Sequence, residues 1–378
     1  MKNNNLAIVI TAYNRAIPLK NLLTSLSSIK CDREIPLIIS IDNQGNEEVI
    51  KISKDFEWHH GEKKIIIHKE KLGLRGHFIW AGDQSINYEN VVFLEDDLCV
   101  SPYIVKYAEK LIEFYSSDQL VAGASLYNPH LCEFNGCKFY QVQDGYDVYF
   151  FQHPYWGNIW MKDKWIEFKD WLKKYKPNYS ILPERINQWN ETSFKKIYIQ
   201  FLAEKGYFMV FPRVSLVTNM GESGIHSKKD YNQFHVPFYL AWQDPKLCNC
   251  VESIAKYDVF FEIVPETIKM FNPSLRKYDF TVDLQGLKKN FNTQYVLTTR
   301  KVKSSILSFS DSMKPIEGNL LLHSQGVGIS LSNKHDIIFN KKYEELKLIR
   351  DVLEFNYDLG LKSILRMLFI VFRKRYKL

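Results

Sequence analysis

The chain has 378 residues, 46% of them hydrophobic and 25% charged, which excludes a disordered or fibrous protein and leaves ample length for a sizeable core. The net charge is +7, but six bases and no acid sit in residues 361–378, so the rest of the chain is almost neutral. That balance excludes a broad nucleic-acid-binding surface.

Residues 6–11, LAIVIT, form an unbroken apolar run, as expected of a strand buried on both faces. Pro18 suits the start of a helix whose Leu19, Leu22, Leu23 and Leu26 recur at helical spacing. Further buried strands are expected at 36–42 (PLIISID), 64–68 (KIIIH) and 91–95 (VVFLE), with a helix over 74–86. Ser101 and Pro102 offer a cap and a first residue for a helix over 103–115, and 120–126 reads as a fifth strand. From about 127 the pattern loosens into the aromatic-rich DGYDVYFFQHPYWGNIWMKDKW. A helix is expected over 190–206, with Phe194, Ile197, Tyr198 and Phe201 on one face and Gly206 placed to end it. Residues 207–212 read as a short strand and 218–227 as a polar, glycine-containing loop. Beyond about 245 the signals weaken.

Alternating strands and helices predict an α/β fold with a mostly parallel central sheet, followed by a smaller mixed region over 246–378. Such sheets bind ligands at the carboxyl ends of their strands. Arg15, Asp42 and the triplet Glu95, Asp96 and Asp97 all fall at or just past strand ends, and are expected to share one crevice. A buried strand running into three carboxylates needs a positive partner, since each resists both desolvation and the others. Carboxylates at a strand end suit Mg²⁺ or Mn²⁺ bridged to a substrate phosphate. An acidic turn favouring the next helix would use the same residues.

The stretch VVFLEDDLCVSPYIV resembles the EDD segment of the N-acetylglucosaminyltransferase I family. GHFIWAGDQSI is similar to that family's His-bearing helix, VITAYNR and LIISIDN to its first two strands, and YWGNIWMKDKW to its acceptor-side segment. The LVTNMG…H loop looks like that of bacterial glycosyltransferases that assemble surface polysaccharides. The resemblance spans roughly residues 6–227. It implies a GT-A (Rossmann-like) domain over 1–245, with a donor half at 1–126 and an acceptor half at 127–245. It further implies an inverting, Mn²⁺-dependent transferase that uses a UDP-sugar donor and a glycan or lipid-linked glycan acceptor.

Carried over by residue, the resemblance makes Asp97 the metal ligand, with Asp96 at the ribose or the metal's water shell and Glu95 in support. Arg15 would meet the diphosphate or nucleotide, and Asp42 and His77 the uracil. Trp189, Asn190 and Glu191 stand where the family has Trp followed by its basic Asp, so Glu191 is assigned as general base, with Asp144, Asp147 and Glu222 in reserve. Glu191 departs from the family's Asp, and an acid stabilising a helix start is the alternative role. Gly221 and Gly224 would let backbone amides approach phosphates, and His226 would reach the diphosphate or metal. Tyr155, Trp156 and Trp160 are candidates for stacking on an acceptor sugar, or for packing.

The tail at 361–378 mixes bases with Ile364, Leu365, Leu368, Phe369 and Phe372. It is too short to span a bilayer, and is expected either to lie on an anionic membrane surface or to dock as a helix. Six cysteines form no CxxC pair, so no zinc site is expected, and the absence of a leader pattern makes the cytoplasm the expected compartment. Two other readings stay open: a non-catalytic sugar- or membrane-binding protein on this scaffold, and a sugar-phosphate nucleotidyltransferase. TAYNRAIPLK lacks the glycine-rich triphosphate loop that the latter needs.

Overall fold

The computed structural model describes residues 6–44, 46–221, 234–346 and 365. β1 (Leu6–Ala12) is buried at every position, as its unbroken apolar run requires of an interior strand. β2 (Leu37–Ile41), β3 (Lys63–Ile67) and β4 (Asn90–Glu95) extend the sheet in parallel, β2 and β4 on either side of β1. The crossovers carry α1 (Ala16–Leu26), α2 (Glu47–Asp55) and α3 (Gly73–Tyr88), and the buried face of α1 is the predicted leucine stripe. β5 (Leu98–Val100), α4 (Ile104–Tyr115) and β6 (Val121–Ser125) follow. α4 starts at Ile104 because the Ser101 hydroxyl accepts the Tyr103 amide and closes a turn ahead of it.

The aromatic-rich stretch holds three elements that its sequence does not announce: β7 (Val148–Phe151), β8 (Asn158–Met161) and α5 (Lys162–Leu172). After them come α6 (Glu184–Asn187), α7 (Phe194–Lys205), β9 (Phe208–Pro212), β10 (Val217–Asn219) and β11 (Lys256–Tyr257). α7 begins four residues later than expected, because Asn190 accepts the Thr192 amide in a turn and Ser193 is the true cap. It ends at Gly206, whose φ of 66° suits glycine.

The central sheet has nine strands in the order β3-β2-β1-β4-β8-β6-β9-β7-β11. Six run one way, and only β8, β7 and β11 oppose them. Since β8 runs antiparallel between β4 and β6, its entry lies beside their carboxyl ends.

The C-terminal part holds α8 (Pro265–Phe271), β12 (Phe280–Asp283), β13 (Tyr295–Thr298), β14 (Lys301–Val302), β15 (Leu307–Ser310), α9 (Gly318–Leu321), β16 (Gly328–Asn333) and β17 (Ile337–Ile338). Four of its strands form a mixed sheet, β12-β13-β16-β15. One contiguous apolar core runs from β1 through to β16. The predicted class, an α/β protein with a mostly parallel main sheet and a smaller mixed region, is the observed one. Among the described residues no helix is long and apolar enough to cross a membrane. Of the tail only Leu365 is described, and it is exposed.

Candidate active site

Parallel pairing of β1, β2 and β4 brings their carboxyl ends to one edge, so Arg15, Asp42 and Glu95–Asp97 converge there. The Asn46 side chain donates to the Asn14 carbonyl at 3.2 Å and ties the first two loops together. Arg15 grips the acid cluster with a two-pronged contact: Nη1 donates to Asp97 Oδ2 at 2.9 Å and Nη2 to Asp96 Oδ1. The positive partner that the triplet requires is thus supplied by the chain itself, whereas the sequence placed Arg15 on the donor. Burial opposes the Arg15 charge, but Asp96 and Asp97 outweigh it and hold its pKa above the ordinary value.

Burial, reinforced by Asp97 and opposed by Arg15, pushes Glu95 up to about 8. Burial also lifts Asp96 to about 6, against the pull of Arg15. Asp97 Oδ1 is buried and without a hydrogen-bond partner. A buried carboxylate oxygen in that state is costly unless something fills it. Among the described residues no three His, Cys, Asp or Glu side chains form a metal cage. The free Asp97 oxygen is of the hard kind that a divalent cation takes from one or two carboxylates when phosphate and water complete its shell.

Above the triplet, β10 pairs antiparallel with β5, and the Met220 amide donates to the Asp97 carbonyl at 2.9 Å. Gly221 lies at this ribbon's end, but its amide donates to Asn219 Oδ1 at 2.8 Å and is not free for a phosphate. Glu222, Gly224 and His226 lie outside the described residues.

Asp42 accepts the amides of Leu72 and Gly73 at 2.7 and 3.0 Å, so it anchors the start of α3 on the end of β2. His77, one turn into α3, is buried and shares the Ser40 hydroxyl with His68 at 2.7 and 2.8 Å. Burial pushes His77 down to about 4 despite nearby Asp42, so the ring is neutral at pH 7. Trp80 meets His68 edge-on at 5.0 Å, completing a polar and aromatic wall beside Asp42.

On the other side of β4, Phe93 pairs with Asn158, so Tyr155, Trp156 and Gly157 lie alongside the strand's exit toward Glu95. Gly157 has φ of 66° and sits against Val217 and Leu126, where a Cβ would come within 3.0 Å of Val217. Trp156 is half-buried and able to present a face. Trp160 is not, and of its two expected roles it takes packing: it is enclosed between Phe93 and Trp165, at 4.8 Å from each, because β8 is an interior strand. Tyr155 is also buried, stacked on Tyr127 at 5.7 Å and covered by the Lys195 ammonium at 4.1 Å.

Glu191 is 53% exposed and bonds Lys196 Nζ at 2.7 Å, while Tyr179 donates to it at 3.1 Å. Lys196 is fully buried, so Glu191 acts as its counter-charge, and the Lys196 contact keeps Glu191 below the usual carboxylate range. Of the reserve acids, Asp144 pairs with Arg213 and Ser253, and Asp147 accepts the Lys246 amide. The sequence reading passed over Glu133, Lys195 and His153. Lys195 donates to both Glu133 oxygens at 2.9 and 3.2 Å, and Lys195 in turn acts electrostatically on Glu95. No periodicity marks HLCEFNG, so only the paired lysines of SFKKIY hinted at a charge there.

No protein-family model matches the chain, and no curated protein matches it. Among solved structures, the chain is similar to Staphylococcus aureus TarS 1–349, with 15% identity and a TM-score of 0.36 over 56% of this chain and 58% of that one. The same TarS segment in complex with UDP-GlcNAc gives 14% identity and 0.40 over 60% and 61%. The mannosyltransferase PcManGT from Pyrobaculum calidifontis, in complex with GDP-Man and Mn²⁺, gives 13% identity and 0.40 over 59% of each chain. The chain thus spans about three fifths of the length of these proteins, and likeness at this level carries no argument about chemistry.

Proposed function

We propose that this chain is a metal-dependent, inverting glycosyltransferase of GT-A type. It moves a hexose or N-acetylhexosamine from a UDP-sugar to a hydroxyl of a glycan or lipid-linked glycan. The observation that carries the reading is the cluster at the carboxyl edge of the parallel strands, where Arg15 holds Asp96 and Asp97 and leaves Asp97 Oδ1 buried without a partner.

In this reading Asp97 holds Mn²⁺ or Mg²⁺, which when bound stabilises negative charge on the departing diphosphate as a Lewis acid. Asp96 faces the ribose or the ion's water shell, and Glu95 backs both. Arg15 is poised to exchange its carboxylate contacts for donor phosphate oxygens, since a guanidinium suits either. Asp42 and neutral His77 line the uracil pocket, and Trp156 lies on the acceptor side. A carboxylate takes the acceptor hydroxyl's proton as the new bond forms, and attack opposite the leaving group inverts the anomeric centre. The acceptor belongs to a surface polysaccharide made at the cytoplasmic face of a membrane, which the basic tail at 361–378 would touch.

Incubation with UDP-GlcNAc, UDP-glucose and UDP-galactose, in Mn²⁺ and in EDTA, tests this. Release of UDP from at least one donor in Mn²⁺, and none in EDTA, is the expected result. Binding of UDP without any turnover would favour a sugar-binding protein instead.

A further inference from the structure

We infer that Glu133, and not Glu191, is the general base that deprotonates the acceptor; this rests on the transferase reading above. Glu133 leads from the Leu131–Lys138 bridge, a tight turn closed by the Cys132 amide on the Cys137 carbonyl at 2.8 Å. Its side chain is largely enclosed but keeps 17% of its surface exposed. Lys195 fixes it from one side, and Lys195 is itself seated over the Tyr155 ring at 4.1 Å and near Trp189 at 5.4 Å. From the other side His153 Nε2 lies 3.5 Å from Glu133 Oε1.

His153 is fully buried, with both ring nitrogens unpartnered by hydrogen bonds. Burial and the nearby Lys195 charge both keep it neutral. A neutral imidazole beside Glu133 adds no second cation to the carboxylate, so a single lysine compensates its charge. Tyr155, which Lys195 covers, donates its amide to the Ser125 hydroxyl at the end of β6 at 2.8 Å, and Asn158 at the start of β8 pairs with Phe93 of β4, so the pair lies by the carboxyl edge of the parallel strands where Tyr155 and Trp156 lead into β8. Glu191 has a different duty, because its loss would leave the buried Lys196 ammonium uncompensated.

In the step assigned to it, a Glu133 oxygen takes the proton of the acceptor O–H. The freed oxygen forms a bond to the anomeric carbon of the nucleoside diphospho-sugar. The anomeric carbon–oxygen bond to the diphosphate breaks, and its electron pair leaves with the nucleoside diphosphate.

The test compares Glu133→Gln with the parent and with Glu191→Gln, using donor turnover in Mn²⁺ with water as acceptor, UDP affinity by calorimetry, and the unfolding midpoint. Glu133→Gln is expected to lose turnover by about 100-fold or more, the usual scale for a general base, at unchanged UDP affinity and midpoint. Full turnover in Glu133→Gln overturns the assignment while the transferase reading stands. So does joint loss of UDP affinity and turnover, or loss at unchanged UDP affinity in Glu191→Gln alone. A parent that turns over no donor removes the transferase reading, and this assignment with it.

Discussion

Two clusters of buried charge can be compared in this molecule, one at the crevice edge of the main sheet and one beneath the small C-terminal sheet. In the second, Arg300 donates to Asp283 at 2.7 Å and contacts Glu344, while Lys288 donates to Asp258 at 2.7 Å. Glu262, fully buried beside them, accepts the Gln285 amide at 2.6 Å and leaves Oε2 unpartnered, as Asp97 leaves Oδ1. The environments differ. Burial, with Asp283 and Asp258 adding to it and Lys288 opposing it, pushes Glu262 well above the carboxylate range. Asp97 sits at the carboxyl edge of the parallel strands beside an arginine, with 11% of its side chain exposed. Buried charge alone therefore does not mark a site. What sets Asp97 apart is an unfilled oxygen at the carboxyl edge of a parallel sheet, the edge where such folds generally bind ligands.

The largest expected effect separates the two clusters by readout. Asp97→Ala should cut donor turnover by about 100-fold or more in Mn²⁺, since a lost metal contact is worth several kcal/mol. The midpoint of thermal unfolding should stay near that of the parent. Arg300→Ala should do the reverse: it strands Asp283 and should cost about 3–5 kcal/mol in urea unfolding, with turnover per folded molecule retained. If Asp97→Ala proved mainly destabilising, the distinction would collapse into two structural networks.

A smaller effect probes buried acids outside either cluster. Burial pushes Glu317 from 4.5 to about 7. The unfolded chain loses this proton near the ordinary value and the folded chain only near 7, so stability should fall as pH rises through that interval and stay low above it. Glu317→Gln should remove this slope and raise unfolding free energy by about 3 kcal/mol at pH 8, with little change at pH 4. Unchanged pH dependence of urea unfolding would contradict the environment described for it.

The convergence of Arg15, Asp42 and the acid triplet was legible in the sequence, because three largely apolar runs each lead to a charge at or just past their ends and parallel pairing aligns such ends. The contact between Arg15 and Asp97 was not, since it joins residues 82 positions apart through side-chain geometry that no periodicity encodes. Trp156 and Trp160 looked alike in an aromatic-rich segment. Only the interior position of β8 decides that Trp156, just before it, stays half-buried while Trp160 fills the core. The partner of Glu191 was not legible either, for a local reason: Asn190 turns the chain before the helix starts and leaves the acid facing buried Lys196. Glu133 lies in a loop with no pattern, and becomes visible only once Lys195 and His153 are seen around it.

The central claim is that Asp97 grips a divalent ion shared with the nucleotide. Electron paramagnetic resonance of Mn²⁺, titrated with protein in the presence of UDP, tests it most directly. The account predicts that the free-ion signal is quenched by the parent protein, and far less so by Asp97→Asn or when UDP is omitted. Equal quenching by parent and variant, or none by the parent, would contradict it.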